Sequence, residues 1–399
     1  MRVLVFSNCE LDPYLGSGRT RLAWAAGLRG FGHEVDIVDT AALLGRDGDR
    51  AGRRARIGWR GLQWLRAHDL SRYDLIEFYG AEFWPGTWWL SRRTPATRPF
   101  LVAHTDGLEL LLADRASSSS AFPPPASGPR GWAAGLLHRG QTLAFSRADG
   151  FVTACELDRR FLVEHRIGNP ARMEVVPLGL EPAYLERPLR TDGRENRIAF
   201  LGSWIDRKGT PSFKAAVVPL LRERPDLHLD LCGTGQPPET LRAEFPEEVR
   251  GRITVHGRIP NEAMADLLGR AKIFFFPSEY EGFGLALAEA MACGCAVVTT
   301  PTGYGAELRD GEEALRCPFE EAGAMRAALA RLLDDDTLRA RVAAAGWRRV
   351  QGLRWETSVG RLEAIYRRWC EEHRAGYPAA DPRQRSVDNV PPDAIQPRG

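Results

Sequence analysis

The chain has 399 residues, more than one typical domain holds, so two units with a crevice between them are expected. Its 44% hydrophobic and 27% charged residues exclude a disordered or fibrous class. No window reaches the roughly 20 uninterrupted apolar residues of a membrane-spanning helix, and a net charge of +2 singles out no partner. The cations are lopsided, with Lys only at Lys208, Lys214 and Lys272 and Arg supplying the rest. The seven cysteines are scattered through apolar runs, which reads as reduced core thiols. Cys293 and Cys295 lack the His or Cys neighbours that would complete a metal site, so no metal is expected.

Short runs rich in Val, Ile, Leu and Phe alternate with longer helical patterns, the signature of parallel strands covered by helices on both faces, so the fold class is α/β. The first expected strand, 2–7, follows Met1 with no charged leader and apolar segment, from which a cytoplasmic location is expected. Leu15–Arg21 (LGSGRTR) comes next, with a helix pattern starting at Leu22. It carries two glycines of a dinucleotide fingerprint, but Arg21 stands at the third, so the signal for NAD is weak.

After a strand at 34–38, residues 46–72 hold eight Arg against three Asp, interleaved with Ile57, Trp59, Leu62, Trp64 and Leu65. Two readings fit: an amphipathic helix resting on an anionic membrane, or a surface helix with its apolar side on the sheet. Strands at 74–78 and 100–104 flank Trp84, Trp88 and Trp89, which suit either an acceptor sugar or the core. His104 ends the second of these strands, at the sheet edge where α/β proteins bind ligands. The Ser- and Pro-rich stretch Ser117–Arg130 favours a loop, and strands at 150–153 and 173–177 complete the half.

Polar, aperiodic residues 181–196 make a linker, with the boundary near 185. The second half offers strands at 197–202, 227–232, 252–256, 272–277 and 295–299, giving one doubly wound sheet per half. An amphipathic helix over 355–373 follows, and 374–399, poor in apolar anchors, are expected to be a disordered tail.

The most informative stretch is a buried strand, Ile273–Pro277, then a glycine-bearing loop, Ser278–Gly284, then a helix former, Leu285–Ala292. At such a junction the free N–H groups point outward with the positive end of the helix dipole, which seats a diphosphate. Gly282 and Gly284 let the backbone approach closely. Glu281 lies before the helix and Glu289 just over one turn inside it, so two carboxylates bracket the seat.

These glutamates, with seven residues between them, and the surrounding PSEYEGFGLALAEAMACGCAVVTTPTGYGAEL (277–308) resemble the GT-B retaining glycosyltransferases of the group-1 or family-4 type. The resemblance spans roughly 1–373 and is densest over 195–320. It implies two Rossmann-like doubly wound domains facing across a cleft. Residues 1–185 would carry the acceptor and 186–354 the donor, with 355–373 returning toward the first domain.

By that likeness Glu281 contacts donor-sugar hydroxyls, Glu289 contacts the ribose, and Gly282, Phe283, Gly284 and Leu285 meet the diphosphate. Ile198–Gly202 and the loop to Gly209 look like the family's first donor-domain strand and loop. There Gly202 allows close approach, while Arg207 and Lys208 neutralise charge building on the leaving diphosphate, so no cofactor is expected. Ser203 stands where the family usually has Arg, with Arg207 as the substitute. Leu229–Gly235 and Val255–Pro260 are similar to segments beside the nucleobase. In the first half the likeness implies that Gly16 approaches the donor phosphates, that Arg19 adds charge, and that His104 hydrogen-bonds the donor sugar.

The implied reaction is retaining, metal-independent transfer of a hexosyl unit from a nucleoside diphosphate sugar to a hydroxyl of a glycan, lipid-linked sugar or small molecule. No nucleic acid is expected as a partner, and peripheral membrane contact would run through 46–72. A non-catalytic binding subunit of the same fold, a sugar-nucleotide epimerase and an NAD-linked oxidoreductase stay open as alternatives.

Overall fold

The computed structural model describes residues 1–12, 16–45, 52–118 and 128–376. They form two six-stranded sheets in which every pairing is parallel. The first contains β1 (Arg2–Ser7), β2 (Glu34–Val38), β3 (Leu75–Tyr79), β4 (Phe100–Thr105), β5 (Gly150–Thr153) and β6 (Met173–Val175) in the order β2-β1-β3-β4-β5-β6. The second contains β7 (Glu195–Leu201), β8 (His228–Cys232), β9 (Ile253–His256), β10 (Ala271–Phe276), β11 (Ala296–Thr299) and β12 (Leu315–Arg316), ordered β12-β11-β10-β7-β8-β9.

Each sheet reverses its winding beside its first strand, and the loops leaving the strands at such a point face a common crevice. In the second sheet the reversal brings β7 against β10, with Ile198 opposite Ile273. The loops that follow these two strands, 202–209 and 277–284, therefore lie side by side. The central strands β3, β4 and β10 are buried almost throughout, as helices on both faces demand.

The last helix, Trp355–Arg374, packs on the first sheet although it follows the second in sequence. Val359, Leu362, Tyr366 and Trp369, at three- and four-residue spacing, form its buried stripe. Trp369 stacks on Phe100 with ring centroids 5.4 Å apart. A Cβ on Gly27 would stand 2.5 Å from Val359, so this glycine lets the helix lie close against Gly16–Gly30.

Several expectations are corrected. Helix Gly16–Gly30 begins at Gly16 and not at Leu22. A Cβ on Gly18 would lie 2.6 Å from the Asp12 backbone, so this glycine is packed within the helix's first turn; Leu15 lies outside the described residues. Helix Arg53–Ala67 turns Ile57 and Leu65 into the core beside Phe6 and Phe78, which favours the sheet-packed reading, while Trp59 stays 58% exposed. Residues 46–51 of that stretch lie outside the described residues.

Within Ser117–Arg130, 117–118 end helix Glu109–Ser118 and 128–130 begin helix Gly128–Arg147, with 119–127 outside the described residues. The linker holds a short helix, Pro182–Leu185, anchored by buried Tyr184. β12, only two residues long, offered no pattern to read. Arg374 is still helical, and 377–399 lie outside the described residues. Trp88 and Trp89 lie under the guanidinium groups of Arg92 and Arg93, at 4.7 and 4.1 Å from the ring centroids.

Candidate functional site

The β7 and β10 loops bind each other directly. The Glu279 N–H donates to the Arg207 carbonyl at 2.9 Å, and Arg207 Nη1 donates to the Tyr280 carbonyl at 3.0 Å. Lys208 Nζ donates to Glu281 Oε1 at 2.6 Å and lies 5.1 Å from the Phe276 ring centroid. The Lys208 chain runs over Gly202, whose added Cβ would meet Lys208 Cε at 3.6 Å. Glu281 is buried, and a buried carboxylate needs a counter-charge. Its backbone N–H donates to Thr302 Oγ1 at 2.8 Å, which holds the loop. Since an ammonium carries three protons, Lys208 can hold Glu281 and a phosphate oxygen together.

Gly284, at φ +96°, caps helix Leu285–Ala292 in a conformation that a side chain disfavours. Its added Cβ would lie 3.8 Å from Glu281 Cγ, so the helix N-terminus, Glu281 and Lys208 share one point. Phe283 contributes backbone only, because its ring is core and packs on Tyr304 at 5.0 Å. Ser203 is exposed, while Arg207 is half-buried against the motif loop.

Glu289, also buried, is met from the other half of the molecule. Arg19 Nη2 donates to Glu289 Oε1 at 2.8 Å, and Arg19 Nη1 lies 3.5 Å from Asn261 Oδ1, which also accepts from the Tyr184 hydroxyl at 3.2 Å. Burial, the largest single influence, would lower the Arg19 pKa, but the Glu289 charge and hydrogen bond, with smaller help from Tyr184 and Glu181, together turn the net shift upward. Arg19 thus places its charge on Glu289, whereas Lys208 pairs with Glu281. Gly16 opens helix Gly16–Gly30 in an exposed position, with no described atom within 4 Å of an added Cβ.

The first sheet supplies a second polar group. His104 is buried at the end of β4, its ring stacked on Tyr79 at 4.4 Å between centroids. Its Nδ1 is hydrogen-bonded to Glu77, which also accepts from the Tyr366 hydroxyl at 2.7 Å. Two residues on, Asp106 binds buried Arg21 through both carboxylate oxygens, and the Arg21 guanidinium lies 3.9 Å over the Tyr79 ring centroid. Burial would raise the Asp106 carboxyl, but Arg21 holds it below its ordinary range.

The Asp106 backbone presses on Gly282. A Cβ there would sit 1.6 Å from the Asp106 carbonyl oxygen, so only glycine fits. Tyr280 donates its hydroxyl to the Leu108 carbonyl at 2.9 Å, Cys155 Sγ donates to the Gly282 carbonyl at 3.1 Å, and Arg115 pairs with Glu279 at 2.7 Å. Glu77, Arg21, Asp106 and Tyr366 escaped sequence reasoning. A glutamate inside the apolar run LIEFY was the one signal available.

A cavity of about 830 Å³ opens beside Arg19, walled by helix Gly16–Gly30, residues 180–186 and 354–359. Burial pushes the Cys295 thiol up to about 11, in keeping with an inert core thiol. Among the described residues no group of three or more His, Cys, Asp or Glu is arranged to hold a metal, and no helix is long and apolar enough to cross a membrane.

Comparison with known proteins matches residues 195–335 to the family described as "Glycosyl transferases group 1" and 16–179 to "Glycosyl transferase 4-like domain". A phosphatidyl-myo-inositol mannosyltransferase of Mycolicibacterium smegmatis is 32% identical over 54% of this chain and 56% of its own length. A D-inositol 3-phosphate glycosyltransferase of Kineococcus radiotolerans is 28% identical over 61% of this chain and 62% of its own. The chain thus spans between half and two thirds of the length of these relatives. Among solved structures, a sucrose-phosphate synthase from Thermosynechococcus elongatus superposes with a TM-score of 0.72 at 18% identity, covering 92% of this chain and 99% of that one. WaaG, a glycosyltransferase involved in lipopolysaccharide biosynthesis, gives 0.67 at 17% identity over 91% and 99%. At such identities these two show the fold alone.

Proposed function

Since the chain belongs to the group-1, family-4-type glycosyltransferases of GT-B fold, we propose that it transfers a hexosyl unit, with retention and without a metal, from a nucleoside diphosphate sugar to an acceptor hydroxyl. The observation that carries this reading is the meeting of Lys208, Glu281 and the Gly284 helix end at one point. The diphosphate binds the helix N–H groups and the Lys208 ammonium, whose attraction grows as the glycosidic bond breaks and charge collects on the leaving phosphate. Arg207 stands in for the arginine missing at Ser203. Glu281 orients the sugar hydroxyls, Glu289 takes the ribose once Arg19 yields, and His104 hydrogen-bonds the donor sugar.

In this reading residues 1–185 bind the acceptor and 186–354 the donor, with 355–373 joining the two. The enzyme works in the cytoplasm, and where the acceptor is lipid-linked it is the outer, Arg-bearing face of the sheet-packed helix Arg53–Ala67, with exposed Trp59, that would touch an anionic membrane surface. The mannosyltransferase name among the relatives supports a hexosyl donor.

The test is donor turnover. Wild type is incubated with GDP-, UDP-, ADP- and dTDP-hexoses and a mixture of inositol and glycolipid acceptors, and the anomeric configuration of the product is read by NMR. Product with the donor's configuration, formed without added metal and lost in Glu281→Ala, supports the proposal. Inverted product, or none from any donor, refutes it.

A further inference from the structure

The His104 ring is held by groups of the first sheet and the last helix. Glu77 sits in the middle of β3 among Leu75, Ile76, Phe78 and Tyr79, with its side chain 1% exposed. A carboxylate in such a place must be satisfied by donors. The structure provides two: the Tyr366 hydroxyl, from the last helix of the chain, at 2.7 Å, and His104 Nδ1. An ionised carboxylate only accepts, so the ring nitrogen that faces it carries a proton. A neutral imidazole has one ring proton, and with Nδ1 holding it, Nε2 keeps its lone pair. Stacking on Tyr79 at 4.4 Å and against Trp24 at 5.7 Å fixes the plane of the ring. His104 Nε2 itself is buried and has no hydrogen-bond partner among the described residues. A buried polar atom left unpaired, two residues from the Asp106 backbone that abuts Gly282 of the donor loop, marks a ligand contact.

We propose that Glu77 is a positioning residue which, with Tyr366, fixes His104 as the Nδ1–H tautomer and so makes Nε2 an acceptor for a hydroxyl of the donor sugar. This rests on the assignment of His104 to the donor sugar. The arrangement parallels the way outer carboxylates fix the tautomer of a working histidine elsewhere. It also gives the closing helix a chemical task, because Tyr366 completes a hydrogen-bond set otherwise confined to β3 and β4.

The experiment has two arms. Protein labelled with ¹⁵N-histidine is examined by two-bond ¹H–¹⁵N correlation, with His104 assigned through its loss in His104→Gln. Wild type should show the Nδ1–H pattern, and an Nε2–H pattern in wild type overturns the proposal whether or not any variant folds. In the second arm, nucleoside diphosphate release is measured with GDP-mannose and UDP-glucose for His104→Gln, Glu77→Gln and Tyr366→Phe, and affinity for GDP and UDP by calorimetry. The amide of Glu77→Gln can donate to Nδ1 and move the ring proton to Nε2. That variant should lose about 10- to 100-fold in kcat with nucleotide affinity unchanged. Tyr366→Phe should keep the wild-type tautomer and lose less than about tenfold. If His104→Gln is impaired while folded Glu77→Gln turns over normally, the positioning role is overturned and the His104 assignment stands. If His104→Gln is fully active, the assignment falls, and this proposal with it.

Discussion

The two sides of the crevice are assembled in different ways. On the β7 and β10 side, the groups that meet at the helix end come from two short stretches, 202–209 and 277–289, brought together because the sheet reverses between those strands. On the β3 and β4 side, the cluster around His104 draws on Trp24, Glu77, Tyr79 and Tyr366, and its Glu77–Tyr366 hydrogen bond spans 289 residues. The first kind of site is a local strand-loop-helix unit whose geometry is set by neighbouring residues. The second exists only when the last helix is docked, so its integrity reports on the whole fold.

The largest expected effect falls on the local unit. Lys208→Ala should lower turnover by about 10²–10³-fold, roughly 3–4 kcal/mol of transition-state stabilisation. Glu281→Ala should act on a similar scale, measured as nucleotide release under saturating donor. Near-wild-type rates in both would erase the contrast between the two sides.

Next comes the Arg21–Asp106 pair, which supports the loop touching Gly282. Breaking a buried ion pair costs about 3–5 kcal/mol, so Asp106→Asn should lower the urea midpoint at pH 6 markedly. A carboxyl held below its ordinary value in the folded state adds stability above its unfolded value near 4 and loses it as pH falls through the folded value. As pH falls below about 4 the wild type should therefore lose stability more steeply than Asp106→Asn. Equal slopes would remove Asp106 from the acid response.

Glu289→Gln should weaken nucleoside diphosphate binding by about tenfold, near 1.4 kcal/mol, while leaving Lys208 chemistry in place. A larger loss in kcat than in affinity would move Glu289 from ribose binding to the reacting centre. Smallest of all, Trp59→Ser should change folding stability by less than about 0.5 kcal/mol, yet reduce sedimentation with phosphatidylglycerol vesicles. Unchanged vesicle binding would leave helix Arg53–Ala67 as plain surface.

The same contrast explains what the sequence made legible. Alternating apolar runs were enough for two parallel sheets, and the strand, glycine loop and helix former over 273–292 were enough to find the helix end, because both are short-range patterns. Pairings between residues distant in sequence were not readable. Arg21 looked like a missing glycine, whereas it is the partner of Asp106. Arg19 was expected to add charge, but the carboxylate that takes it, Glu289, lies 270 residues away. Glu77 stood out in its strand but gained meaning only from a tyrosine in the last helix. The start of helix Gly16–Gly30 was misjudged because glycines that allow close packing and glycines that break helices read alike.

The central claim, that a nucleoside diphosphate sits where Lys208 meets the Gly284 helix end, is tested most directly by calorimetric titration of GDP, UDP, ADP and dTDP into wild type and Lys208→Ala, with thermal melts confirming that both are folded. At least one of the four should bind wild type and lose about tenfold or more in the variant. Binding by none of them, or equal affinity in both proteins, would contradict the claim.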